Sequence, residues 1–266
     1  ITKRFIYKIE KRRRSFKPMN LSKYKLPLEA LPKKAKKIIQ QKVIESEFID
    51  SNDCSILIQE AIDDGIYKNR EQSYFVKCTT DMMDVAPEMI GWWFAWHLPH
   101  SERYNLWHPR DHISATLNEE DINLQAKGQY VGLDSFVEEY IGNKLHKLKI
   151  SFKEPALFGL DIQEDSIAIC AYVTDTNNGV KVAKLLHYVL KTDKGSLMKS
   201  FFWMGSDLSH PNALKNFIVT NLSKIKPIKG LLLNDDSAMD LQIHCYEEMN
   251  HLSKFLPGSL QRIGDT

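Results

Sequence analysis

Between residues 235 and 256, Leu241, Cys245, Leu252, Phe255 and Leu256 fall on one stripe when the chain is wound at about 100° per residue, which predicts a long amphipathic helix near the C-terminus. A stretch initiated by Pro32, with Ala35, Ile38, Ile39 and Val43 at helical spacing, predicts a peripheral helix over 28–44. A further helix begins near Ala86-Pro87 and carries Met89, Ile90, Trp92, Trp93, Phe94 and Trp96, rings that must be buried in a core or around a pocket. Residues 212–222 read as helical. Strands are predicted at 112–117, 148–152, 156–162, 166–173, 180–190 and 197–204, and Asn177-Asn178-Gly179 and Asp193-Lys194-Gly195 mark hairpin turns between the last three. Strands followed by a long terminal helix imply an α+β fold in which a curved antiparallel sheet wraps that helix. Residues 1–70 read as a basic N-terminal arm with a small helical extension, and 71–266 as the main domain.

One position breaks the pattern of the last helix. Glu248 lies in the middle of the apolar stripe and His244 one turn earlier on its edge, whereas Glu247 points to the polar side with Asp240, Asn250 and Lys254. An unpaired buried carboxylate costs several kcal/mol or more, so Glu248 must be protonated, salt-bridged or bound to a cation. An i, i+4 His/Glu pair on one helix face is also a way to present two metal ligands, although surface neighbours of this kind arise by chance. On the strand over 180–190, Ala183, Leu185, His187 and Val189 alternate onto one face, placing an imidazole among apolar neighbours as either a satisfied core histidine or a substrate contact.

Charge changes this picture only at the N-terminus. Residues 1–37 hold fourteen Lys/Arg against Glu10 and Glu29, and the rest of the chain carries 22 basic and 32 acidic residues. The Lys11-Arg12-Arg13-Arg14 cluster lacks the aromatic platform of an RNA-binding module, so no nucleic-acid partner is expected. No run of eighteen apolar residues occurs, and the expectation is a soluble protein without a membrane partner. Cys54, Cys78, Cys170 and Cys245 are widely spaced and read as reduced cysteines of a cytoplasmic protein.

Two more segments carry candidate chemistry: Arg103-Tyr104-Asn105-Leu106-Trp107-His108-Pro109-Arg110-Asp111-His112, and Asp134-Ser135-Phe136-Val137-Glu138-Glu139-Tyr140-Ile141-Gly142. Together with Gly91-Trp92-Trp93-Phe94-Ala95-Trp96-His97 and the His244/Glu248 helix, they resemble the diacetylphloroglucinol and phloretin hydrolase family, zinc-dependent enzymes that cleave the bond between an acyl group and a phloroglucinol ring. The resemblance runs from about Asp84 to the last helix and leaves the basic arm uncovered. It implies a helix-grip (START-like) fold over a deep cavity, a small aromatic ketone as substrate, and a Zn2+ site at His112, Glu139, His244 and Glu248. It also places a substrate-contacting tyrosine at Tyr104. A homodimer is expected.

His108 remains an alternative to His112, which is preferred because it opens a strand and a ligand on a rigid element is held more accurately. Ser135-x-x-Glu138 reads as a capping box, which would occupy Glu138 and leave Glu139 as the inward carboxylate. The reaction implied needs a hydroxide at the acyl carbon and a ring carbon that leaves as an enolate through its keto tautomer. Zinc suits it, by lowering the pKa of its water and polarising the acyl oxygen. Glu139 is the candidate proton shuttle, with Tyr104 and His187 orienting the ring hydroxyls. No Gly-x-Ser-x-Gly elbow, His-Glu-x-x-His or glycine-rich phosphate loop is present. The alternative reading is a helix-grip carrier of a hydrophobic small molecule, in which His244 and Glu248 are merely polar cavity residues.

Overall fold

A computed structural model describes residues 21–48, 53–226, 229–230 and 233–263, those at 22–23 and 259–263 by their backbone. The basic cluster at 11–14 lies outside the described residues. The described strands are β1 (Ile44–Glu45), β2 (Gly65–Lys68), β3 (Tyr74–Met83), β4 (His112–Leu117), β5 (Asp134–Ile141), β6 (Lys144–Lys153), β7 (Ser166–Asp175), β8 (Val180–Thr192) and β9 (Gly195–Ser209). They form one curved sheet in the order β1-β2-β3-β9-β8-β7-β6-β5-β4. Every pairing is antiparallel except β1 with β2. The described helices are α1 (Lys33–Ile38), α2 (Ser55–Gln59), α3 (Pro87–His97), α4 (Ser101–Trp107), α5 (Glu119–Gln125), α6 (Ala213–Leu222) and α7 (Asp235–Ile263). α7 packs on the inner face of the sheet, against β2, β3 and β5 and against α4, which is the helix-grip arrangement.

Both faces of the central strands are buried, and this explains their nearly continuous apolar sequence. On β9, Phe202 and Met204 face inward towards α7, whereas Phe201 and Trp203 join Phe75, Phe158, Leu160, Leu186 and Cys54 in a second core on the outer face. α7 is tied to the sheet by a buried polar knot. Asp64 accepts from Lys77 Nζ (2.7 Å), from the Thr79 amide (3.0 Å) and hydroxyl (2.6 Å), and from the Tyr246 hydroxyl (3.0 Å). With both side chains of the Lys77–Asp64 pair under a tenth exposed, loss of either partner would leave an uncompensated charge, at a cost of about 3–5 kcal/mol.

Several elements differ from the sequence expectation. Residues 28–44 give only the short α1, because the chain turns after Ile39 and enters β1, where β-branched Ile44 pairs with Tyr67. Ile44–Glu45 and Gly65–Lys68, within the stretch read as arm and extension, form one edge of the sheet. Residues 156–162 are not a strand: Pro155 starts a 3-10 turn that ends at Gly159 with φ 68°, and Phe158 plugs the outer core. The capping box at Ser135-x-x-Glu138 does not exist either, since these residues lie in β5. Strand alternation, with Ser135, Val137 and Glu139 buried, turns Glu139 inward instead.

Candidate metal centre and active site

Three elements bring the site together. α4 ends at Trp107, and residues 108–111 turn the chain into β4; the His112 amide donates to the His108 carbonyl (3.0 Å), and Asn105 Nδ2 donates to the carbonyls of Pro109 (3.3 Å) and His112 (2.9 Å). His112 then sits directly opposite Glu139 in the β4–β5 ladder, where cross-strand side chains on one face lie about 5 Å apart. The next register pair is Ser114 with Glu138, so Ile113 is an extra residue bulged towards solvent. α7 supplies His244 and Glu248 from above, and its backbone is fixed there by Trp107 Nε1 donating to the Glu248 carbonyl (3.2 Å).

The four residues converge on one buried volume. His112 Nε2 is 3.7 Å from Glu139 Oε2 and 3.5 Å from Glu248 Oε2, and His244 Nε2 is 3.9 Å from Glu248 Oε2. His112 Nδ1 lies 3.1 Å from the Tyr104 carbonyl, which can only accept, so the ring proton is on Nδ1 and the Nε2 lone pair faces the carboxylates. That Nε2 is buried without a hydrogen-bond partner. Burial, followed by the charges of His244 and His108, holds His112 well below the usual imidazole range and keeps it neutral. Burial, followed by Cys245 and Glu139, pushes Glu248 well above the usual carboxylate range. Lone pairs and carboxylates facing one another in a buried site repel. A cation at their centre would satisfy all four, and the donor set of two imidazoles and two carboxylates fits a divalent metal.

A second cluster backs the first. Asp111 Oδ2 is 3.6 Å from both His244 Nδ1 and His108 Nδ1, and the donor atoms of His108, Asp111 and His244 lie within 4.8 Å of one another. This group already holds its own cation. Arg110 grips Asp111 through Nε and Nη2 (both 2.9 Å) and reaches Glu247. His108 Nδ1 accepts the Asp111 amide (3.1 Å), so its proton is on Nε2, 3.5 Å from Glu247. His108 therefore faces this supporting layer, and His112 is the histidine placed with Glu139 and Glu248. Burial would raise Asp111, but His244 and Arg110 pull it below the ordinary carboxylate range, and His108 and Arg110 do the same for Glu247 against burial. Glu247 is thus not on a solvated polar face as its helical phase predicted. α7 is flanked there by the 108–111 turn, which a helical wheel does not include.

The cluster lies in the wall of a cavity of about 760 Å³. Strict alternation on β5 (Ser135, Val137, Glu139, Ile141) and β6 (His146, Leu148, Ile150, Phe152) lines one side. From the aromatic-rich region Phe94, His97, Leu98, Tyr104 and Trp107 reach the cavity, whereas Trp92 and Trp96 stack on each other (5.2 Å) and Trp93 fills the core. Tyr104 stacks on His112 (3.8 Å between centroids) and its hydroxyl donates to Glu139 Oε2. His187 lines the cavity with Nδ1 2.8 Å from Ser200 Oγ, its cross-strand neighbour, and burial pushes it down to about 3. Sequence reasoning passed over His97. It is buried between Trp93 and Tyr104, its Nδ1 donates to the Trp93 carbonyl (2.8 Å), and burial, followed by Arg103, lowers it to about 4. Its i, i+4 spacing from Trp93 was the available signal.

A helix-grip domain whose buried two-His, two-Glu set opens on a ligand-sized cavity carries donors that could bind a metal. The chain belongs to the DAPG hydrolase PhiG domain family, whose model matches residues 46–259. The 2,4-diacetylphloroglucinol hydrolase of Pseudomonas protegens is 26% identical over 208 residues, 73% of this chain and 64% of that protein. The phloretin hydrolase of Eubacterium ramulus is 29% identical over 185 residues, 67% of this chain and 64% of that protein. The match thus spans just under two thirds of each of these relatives. Among solved structures, the Zhui aromatase/cyclase of a Streptomyces species superposes with a TM-score of 0.39 at 12% identity, covering 71% of this chain and 94% of that chain. Among the described residues no helix is long and apolar enough to cross a membrane.

Proposed function

We propose that this chain is a zinc-dependent hydrolase that cleaves the carbon–carbon bond between an acyl group and a phloroglucinol-type ring. The observation that carries the reading is the convergence of His112, Glu139, His244 and Glu248 at the wall of an aromatic-lined cavity, in a chain whose named relatives are hydrolases of acylated phloroglucinols. Zinc held by His112, His244 and Glu248, with Glu139 exchanging between metal and water, would supply a Lewis acid for the acyl oxygen and a source of hydroxide near neutral pH.

The remaining work falls to the chain. Glu139 is the general base: it takes a proton as water adds to the acyl carbon, and the Tyr104 hydroxyl on its Oε2 fixes its orientation. The bond to the ring then breaks with its electron pair going to the ring carbon, which is stabilised as an enolate in the keto tautomer. Glu139 returns its proton to that carbon, leaving the free phenol and the carboxylic acid. Neutral His187, with Nδ1 engaged by Ser200, leaves its other ring nitrogen for a ring hydroxyl.

The test is incubation of purified, zinc-loaded protein with monoacylphloroglucinols and phloretin in labelled water. The expected products are phloroglucinol and an acid labelled in its carboxyl group, with no need for oxygen or an organic cofactor. Chelation should abolish turnover and zinc should restore it. An oxygen requirement would overturn the reading. Tight binding without cleavage in zinc-loaded protein would favour the carrier.

A further inference from the structure

The cavity is longer than cleavage of an acetyl group requires. α7 contributes Asp236, Ser237, Asp240, Leu241, His244 and Glu248 to its lining, and at a rise of 1.5 Å per residue this wall runs about 18 Å. β8 gives a similar length: from His187 to Val182 it extends about 17 Å at the spacing of an extended strand. The two ends differ in chemistry. Around the cluster the wall is aromatic, with Phe94 in ring contact with Trp107 (5.3 Å), Phe152 (6.0 Å) and His187 (6.1 Å), and Trp107 against His112 (5.2 Å). Towards the other end an aliphatic strip of Val182, Met204, Leu208 and Leu233 runs among polar Lys144, Asp236 and Asp240, and Leu222 there is 43% exposed. A ring carrying a two-carbon acyl group fills the aromatic end and leaves this arm empty.

We infer that the acyl group of the substrate is a long or bulky aliphatic chain that lies along α7 in the aliphatic arm while the phenolic ring stacks at the aromatic end. This rests on the hydrolase reading above. Apolar surface removed from water in such an arm is worth about fourfold in binding per methylene.

The experiment compares acetyl-, butanoyl-, hexanoyl- and octanoylphloroglucinol on the zinc-loaded protein. kcat/KM is expected to rise by about threefold to fourfold per added methylene, and calorimetric affinity of the metal-stripped protein for the same compounds should rise in parallel. Filling the arm with Val182→Trp, and separately from the helix side with Leu222→Trp, should depress the octanoyl value about tenfold more than the acetyl value. Two variants from different elements, each checked for an unchanged melting transition, guard against misfolding of either. A flat chain-length series in both readouts, or variants that depress all members equally, would overturn the inference. A gain with alkyl groups on the ring instead of on the acyl carbon would also overturn it, by placing the ring in the arm. Failure to cleave any member, with affinity still rising with acyl length, would sink the hydrolase reading and leave the arm's selectivity standing.

Discussion

The carboxylate of Asp111 lies 3.6 Å from Nδ1 of His244, the nitrogen that faces away from Glu248. It is the nearest acidic group to an imidazole N–H that is otherwise buried without a partner, and Arg110 holds it from the other side. Such a carboxylate fixes the tautomer and direction of a ligating histidine. Asp111→Asn is therefore expected to weaken metal affinity by about 10- to 100-fold with the fold retained. Competition against a coloured chelator measures this, and unchanged affinity would remove Asp111 from the site.

Adjacent acids on α7 should behave differently. His244→Ala and Glu248→Ala are each expected to lose stoichiometric metal. Glu247→Ala should keep the metal but melt earlier, by about 1–2 kcal/mol, because Arg110 and the buried His108 lose their common acceptor. Elemental analysis beside thermal melts distinguishes these outcomes. Metal loss at Glu247 equal to that at Glu248 would mean that the supporting layer itself holds the ion.

Tyr104→Phe should leave metal content intact and lower kcat about 100-fold, since the hydroxyl that orients Glu139 is lost while the ring stacked on His112 remains. A change confined to KM would reassign Tyr104 to ground-state binding.

Much of this site was legible because helical phase is a local property. The misplacement of Glu248 on an apolar stripe needs only the sequence of α7. Glu139 was reached by a capping-box argument that fails, since 134–141 is a strand, and period-two alternation gives the same residue for a different reason. What the sequence did not reveal depends on contacts between distant segments. The grip of Arg110 on Glu247 joins a turn to a helix more than a hundred residues later, and β3 escaped notice although its register with β9 is continuous over ten residues. Its polar Lys77 and Thr79 look like surface until Asp64 is brought against them.

Acid should weaken the fold before most of its carboxylates titrate. His97 and His187 are held at about 4 and about 3 in the folded chain, chiefly by burial, against about 6.5 when unfolded. Between those values the unfolded chain binds more protons, so stability is fully present above about pH 6.5 and is lost as pH falls. Each histidine contributes a slope of about 1.4 kcal/mol per pH unit. Urea midpoints at pH 7 and pH 5 test this, and His187→Gln should flatten the dependence. A midpoint that does not fall on acidification would contradict the buried neutral assignment.

The bulge at Ile113 adds local twist to β4 without deciding which face its neighbours take. Ile113 is 45% exposed, so exchanging it for another β-branched residue should pass almost unnoticed. His112 opposite Glu139 faces in, Ser114 opposite Glu138 faces away, and Ala115 opposite Val137 faces in again. Deleting Ile113 would make 112 and 114 consecutive and leave all three pairs in register and alternation. A chain shortened at this one position should therefore keep its donor set and lose only the extra bend of the strand.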